Sequence, residues 1–176
     1  MKFNVAQLLL GPTGGVREHD LDDDIGGLDP QIVPRSSLVG SVKFTHVRPL
    51  VLAEGHARID LELTCVRCAE PFVQQVAIDF LEEFEPRIDV LTGRVLPTTL
   101  DDPALVIDDH NILDISEVVR QNLLLAMEEY PRCKEDCPGL CPYCGANLGE
   151  EPCECGETPT DPRWATLAGL RDETQS

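Results

Sequence analysis

The chain has 176 residues, 42% hydrophobic and 5% aromatic, enough for one good hydrophobic core with a small appended module. Its 32 acids against 14 bases give a formal net charge of −18, which repels a phosphate backbone and leaves nucleic-acid contact to a local basic patch. No run of about 18 apolar residues occurs, and Met1–Gly11 lacks the shape of a secretory signal, so a soluble, cytoplasmic protein with no membrane partner is expected.

Residues 1 to 15 read as a short strand and a Gly-Pro-Thr-Gly-Gly turn, and the acidic run Glu18–Asp24 as a loop or edge segment. From about 38 to 84 apolar and polar residues alternate, the mark of half-buried strands. In Ala57–Cys65 every odd position is apolar; Val42 and Phe44 precede it, and Val76, Ile78 and Phe80 follow. With turns expected at Glu54-Gly55 and Ala69-Glu70-Pro71, sequential short connections imply an antiparallel meander. Residues 85 to 111 read as a long acidic connection interrupted by prolines. A helix is expected over about 114 to 130. Asp114-Ile115-Ser116-Glu117 has the capping-box pattern, and Ile115, Val118, Val119, Leu123 and Ala126 share one face. A last helix is expected over about Pro162 to Leu170, capped by Asp161.

Eight cysteines in a reducing compartment point to metal before disulfides. Cys141-Pro142-Tyr143-Cys144-Gly145 is a zinc-knuckle sequence. Two intervening residues let both sulfurs reach one tetrahedral ion, and the glycine permits the tight turn behind them. Cys153 and Cys155 lie close enough to complete a four-sulfur site. The upstream pair Cys65 and Cys68 ends the alternating strand and has Pro71 after it. A redox dithiol opens a helix after a strand, so this pair reads instead as half of a second site, with Cys133 and Cys137 as the other half. Eight cysteines permit other partitions into fours, and this one is an hypothesis. The expected cofactor is Zn²⁺, one or two structural ions, and residues 131 to 156 hold too few large apolar side chains to fold without it.

His19, His46, His56 and His110 show no ligand spacing, and no phosphate loop, serine elbow or dinucleotide fingerprint occurs, so no enzyme is expected. Between 31 and 68 the local charge turns basic, and Lys43, Arg48, Arg58 and Arg67 are candidates for contact with RNA or a protein partner.

The strand ending in Cys65-Val66-Arg67-Cys68, the helix ending in Tyr130-Pro131-Arg132-Cys133, the run from Cys137 to Leu148, Cys153-Glu154-Cys155 and the closing Asp161-Pro162-Arg163-Trp164 together resemble the YceD family. The resemblance covers about residues 38 to 170. It implies a bacterial or plastid factor for accumulation of large-subunit ribosomal RNA, without catalytic activity. It also implies that the downstream zinc is an accessory, since some members lack that cluster. The partners it implies are the large-subunit precursor, a basic ribosomal protein and/or large-subunit rRNA, with no small-molecule substrate. A regulatory protein that senses thiols or metal through Cys65 and Cys68 is the alternative.

The expected class is α+β: an antiparallel meander or partly closed barrel covered by one amphipathic helix (1–130), then a cysteine-rich zinc module and short terminal helix (131–176).

Overall fold

The alternating pattern folds into strands as its period requires. The structure, a computed structural model, describes residues 1–97, 102–155 and Arg163. In chain order the elements are strand β1 (Lys2–Asn4), helix α1 (Ala6–Leu10), and strands β2 (Val16–Asp23), β3 (Leu38–Val47), β4 (Leu50–Thr64) and β5 (Pro71–Pro86). After a 3-10 turn at Pro103–Leu105 come β6 (Val106–Ile107), β7 (Ile112–Asp114) and helix α2 (Ser116–Ala126). The terminal helix expected near 162 to 170 falls, apart from Arg163, outside the described residues.

One sheet has the order β2-β3-β4-β5-β6, and a small second sheet pairs β1 with β7. β2 to β5 are antiparallel, whereas β6 runs parallel to the end of β5, opposite Glu85 and Pro86. The class is therefore α+β with a mostly sheet core. The order is linear, so the sheet is open and no barrel closes: β6 adds only two residues at one side, and the opposite edge is the acidic β2. That acidic run is part of the sheet, with Glu18 opposite Lys43 and Asp22 opposite Val39.

Glu54-Gly55 is not a turn. Both residues lie inside β4, and the chain reverses at Arg48-Pro49, joined by a cis peptide bond. Gly55 stands opposite Phe80, and a Cβ there would collide with the Phe80 ring. The glycine gives room to a cross-strand aromatic, a role that local sequence cannot distinguish from a bend.

In each long strand alternate side chains point inward, where Leu38, Val42, Phe44, Val51, Ile59, Leu61 and Phe84 are buried with Leu113, Ile115, Val119 and Leu123. Each such side chain contributes about 1.5–3 kcal/mol by leaving water. Helix α2 packs against β5 and is shorter than the expected span of about 114 to 130: it ends at Ala126, the last residue of the apolar pattern, because Met127 turns extended (ψ 137°). The expected capping box does not form. Asp114 Oδ1 accepts from the Ser116 N–H (2.9 Å), but Glu117 turns to Arg120 three residues on, whose guanidinium also reaches Asp29 (2.9 Å). Hydrogen bonds from Arg120 and Gln121 hold the Glu117 carboxyl down at about 2.

The chain divides into two compact units, one comprising Met1–Cys65 and Glu70–Cys133, the other Val66–Ala69 and Lys134–Ser176. The apolar core belongs to the first. In the second, the buried side chains among the described residues are Cys68, Cys137 and Cys141.

Replacing Gly55 by Ala should destabilise the sheet by about 1–3 kcal/mol through overpacking against Phe80. The double variant with Phe80→Leu should recover part of that loss, as urea unfolding of the four proteins of the cycle would show. A carboxyl held below its unfolded-state value stabilises the fold above that value and loses this contribution as pH falls through the folded value. Glu117→Gln should therefore be less stable than the parent at neutral pH. In denaturant melts the gap should narrow between the ordinary carboxyl value of 4.5 and about 2.

Candidate metal centres

Two groups of thiols come together in the folded chain. The sulfurs of Cys65, Cys68, Cys133 and Cys137 lie within 4.8 Å of one another, and so do those of Cys141, Cys144, Cys153 and Cys155. No disulfide joins any of the eight. A tetrahedral four-thiolate ion with bonds of about 2.3 Å spaces its sulfurs by about 3.8 Å, so either group could close around one metal ion with little movement.

The local backbone is built for this. β4 ends at Thr64; the next residue, Cys65, donates its N–H to Glu70 O (2.9 Å), and the intervening turn carries Cys68. Ala69, directly after Cys68, has φ +59°, and Gly145, directly after Cys144, has φ +75°. Both turns thus use the left-handed region after their second cysteine, which glycine adopts freely and alanine at a cost of roughly 1–2 kcal/mol. The downstream turn is closed by Gly145 N–H to Cys141 O (2.9 Å) and Cys141 N–H to Ala146 O (2.8 Å).

Backbone N–H groups of Cys144 and Tyr143 donate to the Cys141 sulfur and hold its thiol down at about 6. Shared hydrogen bonding with Cys144, burial and the neighbouring sulfurs push Cys155 up to about 12. The Cys155 N–H favours a Cys153 thiolate, but hydrogen bonding with Cys141, burial and like charge together raise that thiol. Four thiols crowded this closely cannot all ionise unaided, and a divalent cation removes the conflict. Both groups fit a metal, and neither leaves a protein-free position among its four donors.

Arg67, proposed from sequence as a partner contact, donates from Nη1 to Cys137 O (2.8 Å), while its own carbonyl accepts from the Leu140 N–H (3.1 Å). Gly139 approaches so closely that a Cβ would sit 3.0 Å from the Arg67 carbonyl oxygen. Lys43 forms an ion pair with Glu54. Arg58 lies on the outer sheet face opposite Ala77, and Arg48 sits in the β3–β4 turn. Neither Arg58 nor Arg48 forms an ion pair among the described residues. None of the four histidines joins a thiol group.

The outer face is acidic, not basic. Its register collects Glu18, Asp20 and Asp22 from β2, Glu54, Asp60 and Glu62 from β4, and Asp79 and Glu83 from β5. Against these stand Lys43 and Arg58. The β2 contribution was hidden in the sequence because Leu21 is the single buried apolar residue of that strand.

The profile of the family described as large ribosomal RNA subunit accumulation protein YceD matches residues 53–171. A Mycobacterium tuberculosis protein is 35% identical over 106 residues, 60% of this chain and 48% of the relative. The maize large ribosomal RNA subunit accumulation protein YCED homolog 1, chloroplastic, is 30% identical over 172 residues, 84% of this chain and 58% of the relative. Its Arabidopsis thaliana counterpart is 35% identical over 63 residues, 36% of this chain and 20% of the relative. The chain thus spans about half the length of the mycobacterial and maize relatives. No solved structure matches it. Among the described residues no helix is long and apolar enough to cross a membrane.

Removal of metal by a chelator should abolish amide-exchange protection at residues 134–155 while β3, β4 and β5 remain protected. Exchange read by mass spectrometry tests this directly. Protection that persists in 134–155 after complete metal loss would show that the segment folds on other contacts.

Proposed function

The chain belongs to the YceD family, and from that premise we propose that it is a non-enzymatic factor of large-ribosomal-subunit biogenesis. It supports accumulation of large-subunit rRNA by binding a basic ribosomal protein, precursor rRNA or both. The family match over residues 53–171 carries this reading. The acidic outer face supports a basic protein as partner, by charge complementarity. For RNA, Arg48 and Arg58 are favoured among the four basic candidates, since Lys43 is paired with Glu54 and Arg67 is hydrogen-bonded to Cys137 O. It acts in the cytoplasm, on precursor particles.

Each thiol group holds one structural zinc ion in this reading. Four thiolates also suit an iron–sulfur cluster, which would colour the protein. Closed zinc sites supply shape: residues 1–130 are the docking body and residues 131–176 a tail rigidified by metal. The grouping of Cys65 and Cys68 with two further thiols favours this over a dithiol switch.

Depletion of the protein should lower large-subunit rRNA and shift particles toward precursors, with the protein co-sedimenting on them. Normal rRNA levels together with no co-sedimentation would remove the proposal. The purified protein should be colourless and contain two zinc ions per chain.

A further inference from the structure

Strand β2 forms one edge of the larger sheet, and among the described residues no strand pairs with its outward side. His46 donates its N–H to Gly15 O (2.9 Å) and accepts from Gly14 N–H (2.8 Å), so its backbone groups turn toward β2. Along an antiparallel strand this direction alternates, so Phe44, Val42, Gly40 and Leu38 turn the same way. Their partners Arg17, His19, Leu21 and Asp23 therefore spend their backbone groups on β3. Val16, Glu18, Asp20 and Asp22 direct theirs to the open edge, where no other described residue hydrogen-bonds them. Each of the four presents a donor and an acceptor there, a template for a further strand.

The same residues select what that strand is. Glu18, Asp20 and Asp22 carry their carboxylates on the outer face, opposite Lys43, Ser41 and Val39. Lys43, the one base among those neighbours, forms its ion pair with Glu54. Beside the edge a cleft of about 500 Å³ is lined by Asp20, Ser41, His56 and Asp79, with Arg58 as its one permanent cation. A second copy of this chain, pairing β2 against β2, would set carboxylate against carboxylate. An RNA strand would bring phosphates to the same acids. A basic polypeptide meets neither obstacle.

We propose that an extended basic segment of a protein partner adds to the sheet along β2. Lysine or arginine at every second position lies beside Glu18, Asp20 and Asp22, with the long side chains reaching over the cleft. The intervening side chains fall on the other face, beside His19 and Leu21. Backbone hydrogen bonds supply affinity, and the alternating cations supply selection. This assignment rests on the protein-partner half of the proposed function, and adds where and how that partner binds.

A heptapeptide alternating lysine with valine, blocked at both ends and titrated into the full chain, tests the assignment by NMR. Binding should saturate, with shifted and more slowly exchanging amides at Val16, Glu18, Asp20 and Asp22. The same peptide N-methylated at its lysine amides keeps the charge and loses the donors. A peptide alternating glutamate with valine keeps the strand and reverses the charge. Each should bind at least about tenfold more weakly, the order expected for lost hydrogen bonds or lost charge complementarity. Asp20→Lys combined with Asp22→Lys, both exposed, should weaken the lysine peptide to a similar degree. Full affinity in that variant, equal binding of either control peptide, or no saturable shift at these four amides would each overturn the assignment. Tighter binding of oligouridylate at the same amides would give the edge to RNA. Protection there that grows with protein concentration, without peptide, would give it to a second copy, and either result also overturns the assignment. Such a failure would overturn the edge alone, whereas unchanged rRNA after depletion would overturn the wider function.

Discussion

β4 is the strand on which the first unit depends. It is paired along both edges, to β3 and β5, over most of its 15 residues. Because side chains alternate, a slip of one residue would turn its whole apolar set, Val51 to Leu63, toward solvent. The same register brings Gly55 opposite Phe80. It also brings the strand to its end one residue before the buried Cys65, so packing of the inner face and delivery of the first thiol are a single constraint.

The two units are stabilised by different physics. The first buries aliphatic and aromatic side chains in the ordinary way. Among its described residues the second has Leu140 and Tyr143 exposed and cysteines as its buried side chains, so thiols and the N–H groups directed at them stand where the first unit has an apolar core. Small domains short of apolar surface commonly rely on metal for this reason. A closed four-thiolate site is spent on shape, which directs attention to surfaces for function.

Those surfaces are polarised. Carboxylates from β2, β4 and β5 gather on the outer face, while Arg120 draws Asp29 and Glu117 into a local network at the start of α2. An acidic chain with such a face is suited to meeting a strongly basic partner, and its field would speed that encounter most at low salt.

Much of this was legible in the residues themselves. Alternation in Ala57–Cys65 marked β4, and the spacing of Cys141, Cys144, Cys153 and Cys155 marked a four-sulfur group, because both are local patterns with one geometric solution. Other features required the fold. Nothing nearby in the chain shows that Gly55 makes room for Phe80, that Glu117 prefers Arg120 to a cap, or whether the acidic run, read as a loop or edge segment, pairs as the edge strand β2. Likewise, 64 residues separate Cys68 from Cys133, and the sequence by itself left the partition of the eight thiols open. Local periodicity and spacing determined the central alternating strands and brought Cys141, Cys144, Cys153 and Cys155 close enough along the chain to share an ion. Long-range register decided which charges share a face, where the sheet ends without closing, and which distant sulfurs meet, because those depend on contacts that no local pattern encodes.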